Sequence, residues 1–300
     1  MENKSYEDIN NQDIEDPVYS YTNEKKAFNS SFLFVAVYLL AFNSLSWIMI
    51  ALKLPSGLSL SVAALFCTYT MYSYMKRNKL KGVNIFSERK KLSLLQIIPA
   101  VGTMYLFALI FGLISNFIVE RLPYDTKNVT QLISFNLDLW IAVYAVIIGP
   151  IIEEILFRGV ILSITRKYGA LLSILSSALL FGLFHLNIQQ SISTIGLGIV
   201  FGYYAYFYSL KVSILLHVIN NILAISMTRL GEDFMSFFSY ILVVLIILGL
   251  IYIFIKFKNI KENLKLSHSD KLHFKSYFKN YGLYLILLIL VPLVIIFSFT

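Results

Sequence analysis

The sequence predicts an all-α fold, a polytopic bundle of about nine transmembrane helices. Hydrophobic residues make up 58% of the 300 positions and charged residues only 14%, whereas charged residues form about a quarter of a soluble domain. The mean hydropathy of the chain is +0.73. A helix needs about 20 apolar residues to cross a bilayer, and several stretches reach or approach that length. They cover residues 30–52, 57–75, 93–119, 131–165, 171–187, 191–210, 212–230, 236–256 and 280–299.

Four regions follow one another along the chain. Residues 1–27 are polar and mostly acidic, which predicts a disordered cytoplasmic tail. Residues 28–92 contain a first transmembrane hairpin and a basic loop, and residues 93–230 contain the core that carries the ionisable residues described below. Residues 231–300 add the last two spans and a second basic loop.

The basic residues are concentrated in short loops between the apolar stretches. Seven Lys and Arg residues oppose Glu88 in the loop 76–91, and seven Lys residues oppose Glu262 and Asp270 in the loop 256–279. Such loops stay in the cytoplasm, so nine spans place the N-terminus inside and the C-terminus outside the cell membrane. The net charge of +8 is explained by this topology and does not indicate nucleic-acid binding.

The apolar stretch 131–165 is too long for one straight span and too short for two. As a single helix it would extend about 50 Å at 1.5 Å per residue. Gly149 and Pro150 lie in its middle, and proline removes a backbone donor and kinks a helix. We therefore expect a broken or strongly tilted helix that crosses the membrane once, with the break near Pro150.

Two glutamates and an arginine follow this proline in apolar surroundings. Glu154 and Arg158 are four residues apart, so they share a helix face and can form an ion pair. Glu153 lies about 100° further around the helix. Because an ionised side chain at the bilayer centre costs about 2.5–3.5 kcal/mol, we expect Arg158 to neutralise Glu154 and Glu153 to face the interior of the bundle.

Two further polar pairs lie on later apolar stretches. Phe181 and His185 are four residues apart, and so are His217 and Asn221. A desolvated carboxylate with a neutral histidine can activate a water molecule, and a second histidine with an amide can stabilise an oxyanion. This set of residues supports hydrolysis of a peptide bond by an activated water, without a nucleophilic Ser or Cys. Thiol catalysis has little support, because the single cysteine, Cys67, lies within an apolar stretch.

At these residues the chain resembles a known family. The motifs E-E-x-x-x-R, F-x-x-x-H and H-x-x-x-N stand in the order found in the CAAX prenyl protease and bacteriocin-processing (CPBP, or Abi) family of intramembrane proteases. The resemblance covers roughly residues 95–230. It implies a CAAX-type intramembrane endopeptidase that cuts a membrane-associated peptide or protein, with a site open to the cytoplasm.

The resemblance also implies a role for each motif residue. Glu153 and His185 would activate the attacking water, while His217 and Asn221 would form the oxyanion hole. The pair of Glu154 and Arg158 would hold the site together. Asn220 is an alternative donor to Asn221, although it lies off the helix face that carries His217.

A metal is the main alternative for the chemistry, because the family has also been described as metal-dependent. Glu153, Glu154, His185 and His217 could together ligate Zn²⁺. The compact zinc-protease motif H-E-x-x-H does not occur in the sequence. We therefore expect catalysis without a cofactor.

Two other functions are compatible with buried ionisable residues. A non-proteolytic member of the family would use the same residues as a packing network while it binds a sensor kinase or provides bacteriocin immunity. A proton-coupled transporter would use a buried carboxylate as a proton relay, but it predicts paired broken helices in two related halves. The sequence contains one such break.

The positions of the two motif histidines impose a condition on the fold. Simple alternation of the spans places His185 near the outer side of the membrane and His217 near the inner side. They can meet only if the fifth span continues past His185, or if the connection 186–192 dips into the protein, where irregular backbone must line a cavity.

Overall fold

A computed structural model of the protein describes residues 21–77, 90–122, 139–229, 232–267, 270 and 277–299. Its regular structure over these residues consists of helices, without a strand. The predicted all-α membrane bundle is therefore confirmed.

The described helices follow the predicted apolar stretches in order. They are α1 (Tyr21–Ala51), α2 (Ser56–Arg77), α3 (Leu94–Val119), α4 (Leu139–Tyr168), α5 (Ala170–Leu183), α6 (Ile188–Phe207), α7 (Leu210–Arg229), α8 (Glu232–Leu264) and α9 (Tyr281–Phe299). Helix α1 begins inside the segment 1–27 that was predicted as a tail, and α8 continues past the apolar stretch that ends at residue 256.

Six of these helices are long and apolar enough to cross a membrane, namely α1, α3, α4, α7, α8 and α9. Helix α5 has only 14 residues. The chain is thus a multi-pass membrane protein, and the count of nine spans is not confirmed.

Large apolar side chains cover the outside of the bundle. Trp47, Leu95 and Phe254 are 69%, 82% and 84% exposed, and only 6% of the most apolar part of α8 is buried. Soluble monomers rarely expose apolar patches of this kind. This surface is suited to contact with lipid.

The ends of the helices show how the chain runs through the bundle. Phe28, near the start of α1, packs edge-on against Tyr168 at the end of α4 and against Tyr277 just before α9. At the other end of α9, Ser298 Oγ accepts a hydrogen bond from the backbone N–H of Ile188, where α6 begins. The start of α1 and the end of α9 therefore lie at opposite ends of the bundle, as the predicted topology requires. Their orientation in the cell membrane stays a prediction.

Helix α4 remains helical through Pro150, so the expected break is not an interruption of the helix. Instead, residues Tyr144–Ile148 are π-helical, and the backbone N–H of Gly149 donates to Tyr144 O, five residues back. The wider π turn accommodates the proline, which has no N–H to donate. A second π-helical segment, Ile155–Leu162, contains Arg158.

The short connection between α5 and α6 lies against the protein. Helix α5 ends at Leu183, before His185, so the fifth helix does not continue past this histidine. Asn187 and Ser191 are buried, and Asn187 Oδ1 caps α6 by accepting from the backbone N–H of Gln190. The first of the two predicted arrangements, a fifth span that continues past His185, is thus not found. The insertion of the connection to the depth of the site stays a prediction.

Helices α3 and α8 cross in close contact at a pair of glycines. A Cβ atom at Gly102 would lie 2.0 Å from Leu245 O, and one at Gly249 would lie 2.4 Å from the backbone of Gly102 and Thr103. Only glycine allows two helix backbones to approach this closely.

We predict that Gly102→Ala lowers the melting temperature of the detergent-purified protein. The added methyl group would force the helices apart, and overpacking of this kind costs about 1–3 kcal/mol. Gly112→Ala on the same helix is the matched control, since its Cβ would meet no atom within 4 Å and Ala favours the helix. Equal melting temperatures for the two variants would contradict the close crossing.

Candidate active site

A buried ion pair on α4 forms the centre of the site. Arg158 Nη1 donates to Glu154 Oε1 at 2.8 Å, and neither side chain is exposed. The pair joins residues four apart on one helix, as predicted from their spacing. A buried pair is tolerated only when its other polar atoms are also satisfied.

Helix α7 supplies the other partners of Glu154. Ser213 Oγ donates to Glu154 Oε2, and His217 Nδ1 lies 3.0 Å from Glu154 Oε1. An ionised carboxylate only accepts hydrogen bonds, so Nδ1 carries the proton of a neutral His217. The remaining ring nitrogen, Nε2, is then the acceptor.

Arg158 connects the ion pair to α5 and α6. Its Nη2 donates to Gly198 O on α6 at 3.1 Å, and its guanidinium lies 4.4 Å from the centre of the Phe181 ring on α5. A Cβ at Gly198 would lie 2.9 Å from the Cα of Ala178. The glycine thus allows α5 and α6 to pack closely beside the arginine.

Glu153 lies on the other side of His217. Its Oε2 is 3.7 Å from His217 Nε2, and its side chain is 20% exposed, in contrast to the fully buried Glu154. Glu153 lines a pocket of about 10 Å³ together with Tyr38, Tyr144 and Phe184. This volume is close to the minimum for one water molecule.

Aromatic rings hold both motif histidines. The His217 ring stacks on Phe201 at 4.8 Å and meets Phe181 edge-on at 5.5 Å. The His185 ring also meets Phe181 edge-on, at 5.2 Å, and its Nδ1 is 3.0 Å from Phe181 O. Since a carbonyl only accepts, His185 Nδ1 is the donor and its Nε2 is the acceptor.

The expected pairing of Glu153 with His185 differs from the contacts in the structure. Within the described residues, no hydrogen bond or ion pair joins these two side chains, and the imidazole that Glu153 meets is that of His217. The contact joins α4 to α7, the helix that also supplies His217 to Glu154. His185 belongs to the same cluster through Phe181.

Asn221 lies one turn beyond His217 and contacts the π-helical part of α4. Its Nδ2 donates to Ala145 O at 2.7 Å, and its Oδ1 accepts from Asn220 Nδ2 at 3.0 Å. In the π register, Ala145 O would pair with the N–H of residue 150, which is proline and has none. Asn221 therefore satisfies a carbonyl that the proline leaves without a helical partner, and one amide hydrogen remains available.

Three contact residues of the site were not among the predicted site residues. Ser213 could have been found, because Ser213, His217 and Asn221 recur at every fourth position and share one face of α7. Gly198 contributes a backbone carbonyl, which no side-chain motif marks in the sequence. No sequence pattern singles out Phe201, which lies at the site because α6 packs against α7.

The donor set does not fit a zinc ion. Among the described residues, no three His, Cys, Asp or Glu side chains form a group that could hold a metal. Both oxygens of Glu154 are occupied by Arg158, Ser213 and His217, and a guanidinium beside a carboxylate competes with a cation. The predicted zinc alternative of Glu153, Glu154, His185 and His217 is therefore not assembled as a ligand set. Asp138, a further acidic residue in the apolar stretch 131–165, lies outside the described residues.

One comparison with known proteins gives a match. Residues 135–223 match the family model described as Type II CAAX prenyl endopeptidase Rce1-like. This range contains all three motifs and confirms the resemblance over α4 to α7, a shorter part of the chain than the predicted 95–230. No curated protein and no solved structure matches the chain.

We predict that Arg158→Ala destabilises the protein far more than Glu153→Gln does. The first change leaves Glu154 buried without its cation, which costs about 3–5 kcal/mol, whereas Glu153 is partly exposed and has no such partner. Thermal unfolding of both variants in the same detergent measures the difference. The pairing argument is wrong if Arg158→Ala melts no lower than Glu153→Gln.

Proposed function

We propose that the protein is an intramembrane endopeptidase that hydrolyses a peptide bond in a membrane-associated peptide or protein. The observation that carries this proposal is the contact between Glu153 Oε2 and His217 Nε2 at 3.7 Å. Glu153, though not His217, also lines a pocket of about 10 Å³, which is close to the minimum for one water molecule. The family match to CAAX endopeptidases over residues 135–223 supports the same reaction class.

The facing atoms of Glu153 and His217 favour a bound water. In the neutral tautomer of His217 that carries its proton on Nδ1, Nε2 is an acceptor, and it lies 3.7 Å from Glu153 Oε2, which is also an acceptor. Two acceptors at this distance need a shared hydrogen, which one water can supply by donating to both. A water held in this way has its lone pairs directed away from the two side chains, toward a substrate carbonyl carbon.

Proton transfer through Glu153 completes the hydrolysis. The carboxylate accepts a proton from the water as its oxygen bonds to the carbonyl carbon. The protonated Glu153 then donates that proton to the nitrogen of the leaving amine as the C–N bond breaks. Glu154 stays ionised throughout, because it is held by Arg158, and keeps His217 in the tautomer whose Nε2 faces the water.

Stabilisation of the tetrahedral oxyanion is assigned to Asn221. One Nδ2 hydrogen is bound to Ala145 O, and the second is available for the developing negative charge. His185 lies next to Phe181 with its Nε2 as the acceptor, so we assign to it a second contact with the water or with the substrate amide. In this proposal His217 binds the attacking water. The family resemblance instead implied that His217 forms the oxyanion hole with Asn221.

The substrate must reach a site between membrane helices. A peptide that carries a lipid or an apolar segment would partition into the bilayer beside the bundle. The family description names CAAX prenyl endopeptidases, so a prenylated peptide with three residues after the modified cysteine is the first probe. An unmodified peptide of the same sequence shows whether the lipid is required.

We predict that the purified wild-type protein cleaves such a peptide in liposomes and that Glu153→Gln lowers the cleavage rate by at least a hundredfold, in line with the loss of a general base. Mass spectrometry of the products gives the rate and the cleaved bond. Cys67→Ala is the matched control, because Cys67 is buried on α2 and should not affect the rate.

A chelator provides the second arm of the same assay. We expect an unchanged rate after chelator treatment, since the donor set does not fit zinc. Near-normal cleavage by Glu153→Gln would contradict the assigned base. If the folded wild-type protein cleaves neither the prenylated nor the unmodified peptide, the result would instead favour the non-proteolytic regulator.

A further inference from the structure

A second pocket, separate from the ion-pair site, lies at one end of the bundle between α3, α6 and α8. Its volume is about 400 Å³, within the range of small-molecule sites. Three cations line it, Lys90, Lys91 and Lys256, and no Asp or Glu does so among the described residues. The charge of the pocket therefore suits an anion.

The polar wall of the pocket is built by one face of α8. Tyr252, Lys256, Asn259 and Asn263 follow one another at intervals of four, three and four residues, which is the spacing of a single helix face. The first part of α8 is among the most apolar segments of the chain. Asn263 and Tyr252 on this face hydrogen-bond Tyr203 and Tyr204 of α6. Asn259 adds an amide to the lysines, and an amide can donate hydrogen bonds to anionic oxygens.

Close packing deeper in the bundle explains why a pocket opens here. Helices α3 and α8 touch at Gly102 and Gly249. From that crossing, α3 runs back to Gln96 and α8 runs on past Tyr252, and both residues line the pocket. Tyr203 of α6 and Tyr208, directly after that helix, line the third side.

The outer surface next to the pocket is strongly apolar. Leu95 adjoins Gln96 and is 82% exposed, while Phe254 and Ile255 precede Lys256 and are 84% and 68% exposed. A ligand in the pocket would thus have polar contacts at its head and an apolar surface beside it. This combination suits an amphiphile better than a small soluble anion.

From these observations we infer that the pocket binds the phosphate-bearing headgroup of an anionic membrane lipid, with the acyl chains along the exposed faces of α3 and α8. Basic pockets between transmembrane helices recognise anionic headgroups in this way. Lys91 and Lys256 also belong to the two basic loops, 76–91 and 256–279, that are predicted to face the cytoplasm. The inference does not rest on the proposed proteolysis.

Native mass spectrometry of the full-length protein tests the inference. The detergent-purified protein is titrated with phosphatidylglycerol and, separately, with phosphatidylcholine of the same acyl chains. We expect phosphatidylglycerol to bind at least tenfold more tightly. Because each lysine near an anionic lipid contributes about a factor of five, Lys91→Gln/Lys256→Gln should weaken phosphatidylglycerol binding by roughly 25-fold and leave phosphatidylcholine binding unchanged.

The matched control is Lys258→Gln/Lys261→Gln, which removes the same charge from α8 at positions that do not line the pocket. It should change phosphatidylglycerol binding by less than twofold. An equal loss in both double variants would overturn the inference, because diffuse surface charge would then explain the binding. Unchanged melting of all variants in phosphatidylcholine shows that they remain folded.

Inorganic phosphate distinguishes a lipid from a soluble anion. At the same concentration it should not displace phosphatidylglycerol, because it lacks the acyl chains that contact α3 and α8. Displacement by inorganic phosphate as effective as that by the lipid itself would overturn the assignment to a lipid.

Discussion

The buried ion pair between Glu154 and Arg158 is the constraint on which the rest of the site depends. An unpaired charge in this position would cost several kcal/mol, and even a paired one needs its remaining hydrogen-bonding atoms satisfied. Three helices meet this need at every side-chain atom of the pair except Arg158 Nε, which is buried without a hydrogen-bond partner. Helix α7 supplies Ser213 and His217 to the carboxylate, α6 supplies the carbonyl of Gly198 to the guanidinium, and α4 carries the pair itself. The electrostatic requirement of one pair thus fixes how three helices meet.

This arrangement also determines which side chain is left to react. Glu154 holds His217 by Nδ1, so Nε2 is directed at Glu153, the carboxylate that has no arginine. The two adjacent glutamates therefore differ in role because they differ in surroundings: one is saturated and buried, while the other lines a small pocket. Pro150 contributes at a distance, since the π turn before it exposes Ala145 O to Asn221.

The parts of this account that depend on local spacing could be predicted from the sequence. The Glu154–Arg158 pair requires only a helix, and the helices follow from the lengths of the apolar stretches. The contact of Glu153 with His217 could not be predicted, because it depends on how α4 and α7 are rotated against each other. Likewise, a proline signals an irregular helix, but the sequence does not distinguish a break from a widened π turn that keeps the helix continuous.

The most direct measurement of the central constraint is a double-mutant cycle on the ion pair. The variants Glu154→Gln, Arg158→Gln and the double replacement are compared with the wild type by chemical unfolding in one detergent. The account predicts that each single change costs about 3–5 kcal/mol and that the double change costs clearly less than their sum, because no unpaired charge then remains. Additive losses would contradict it, since they would show that the two side chains do not stabilise each other.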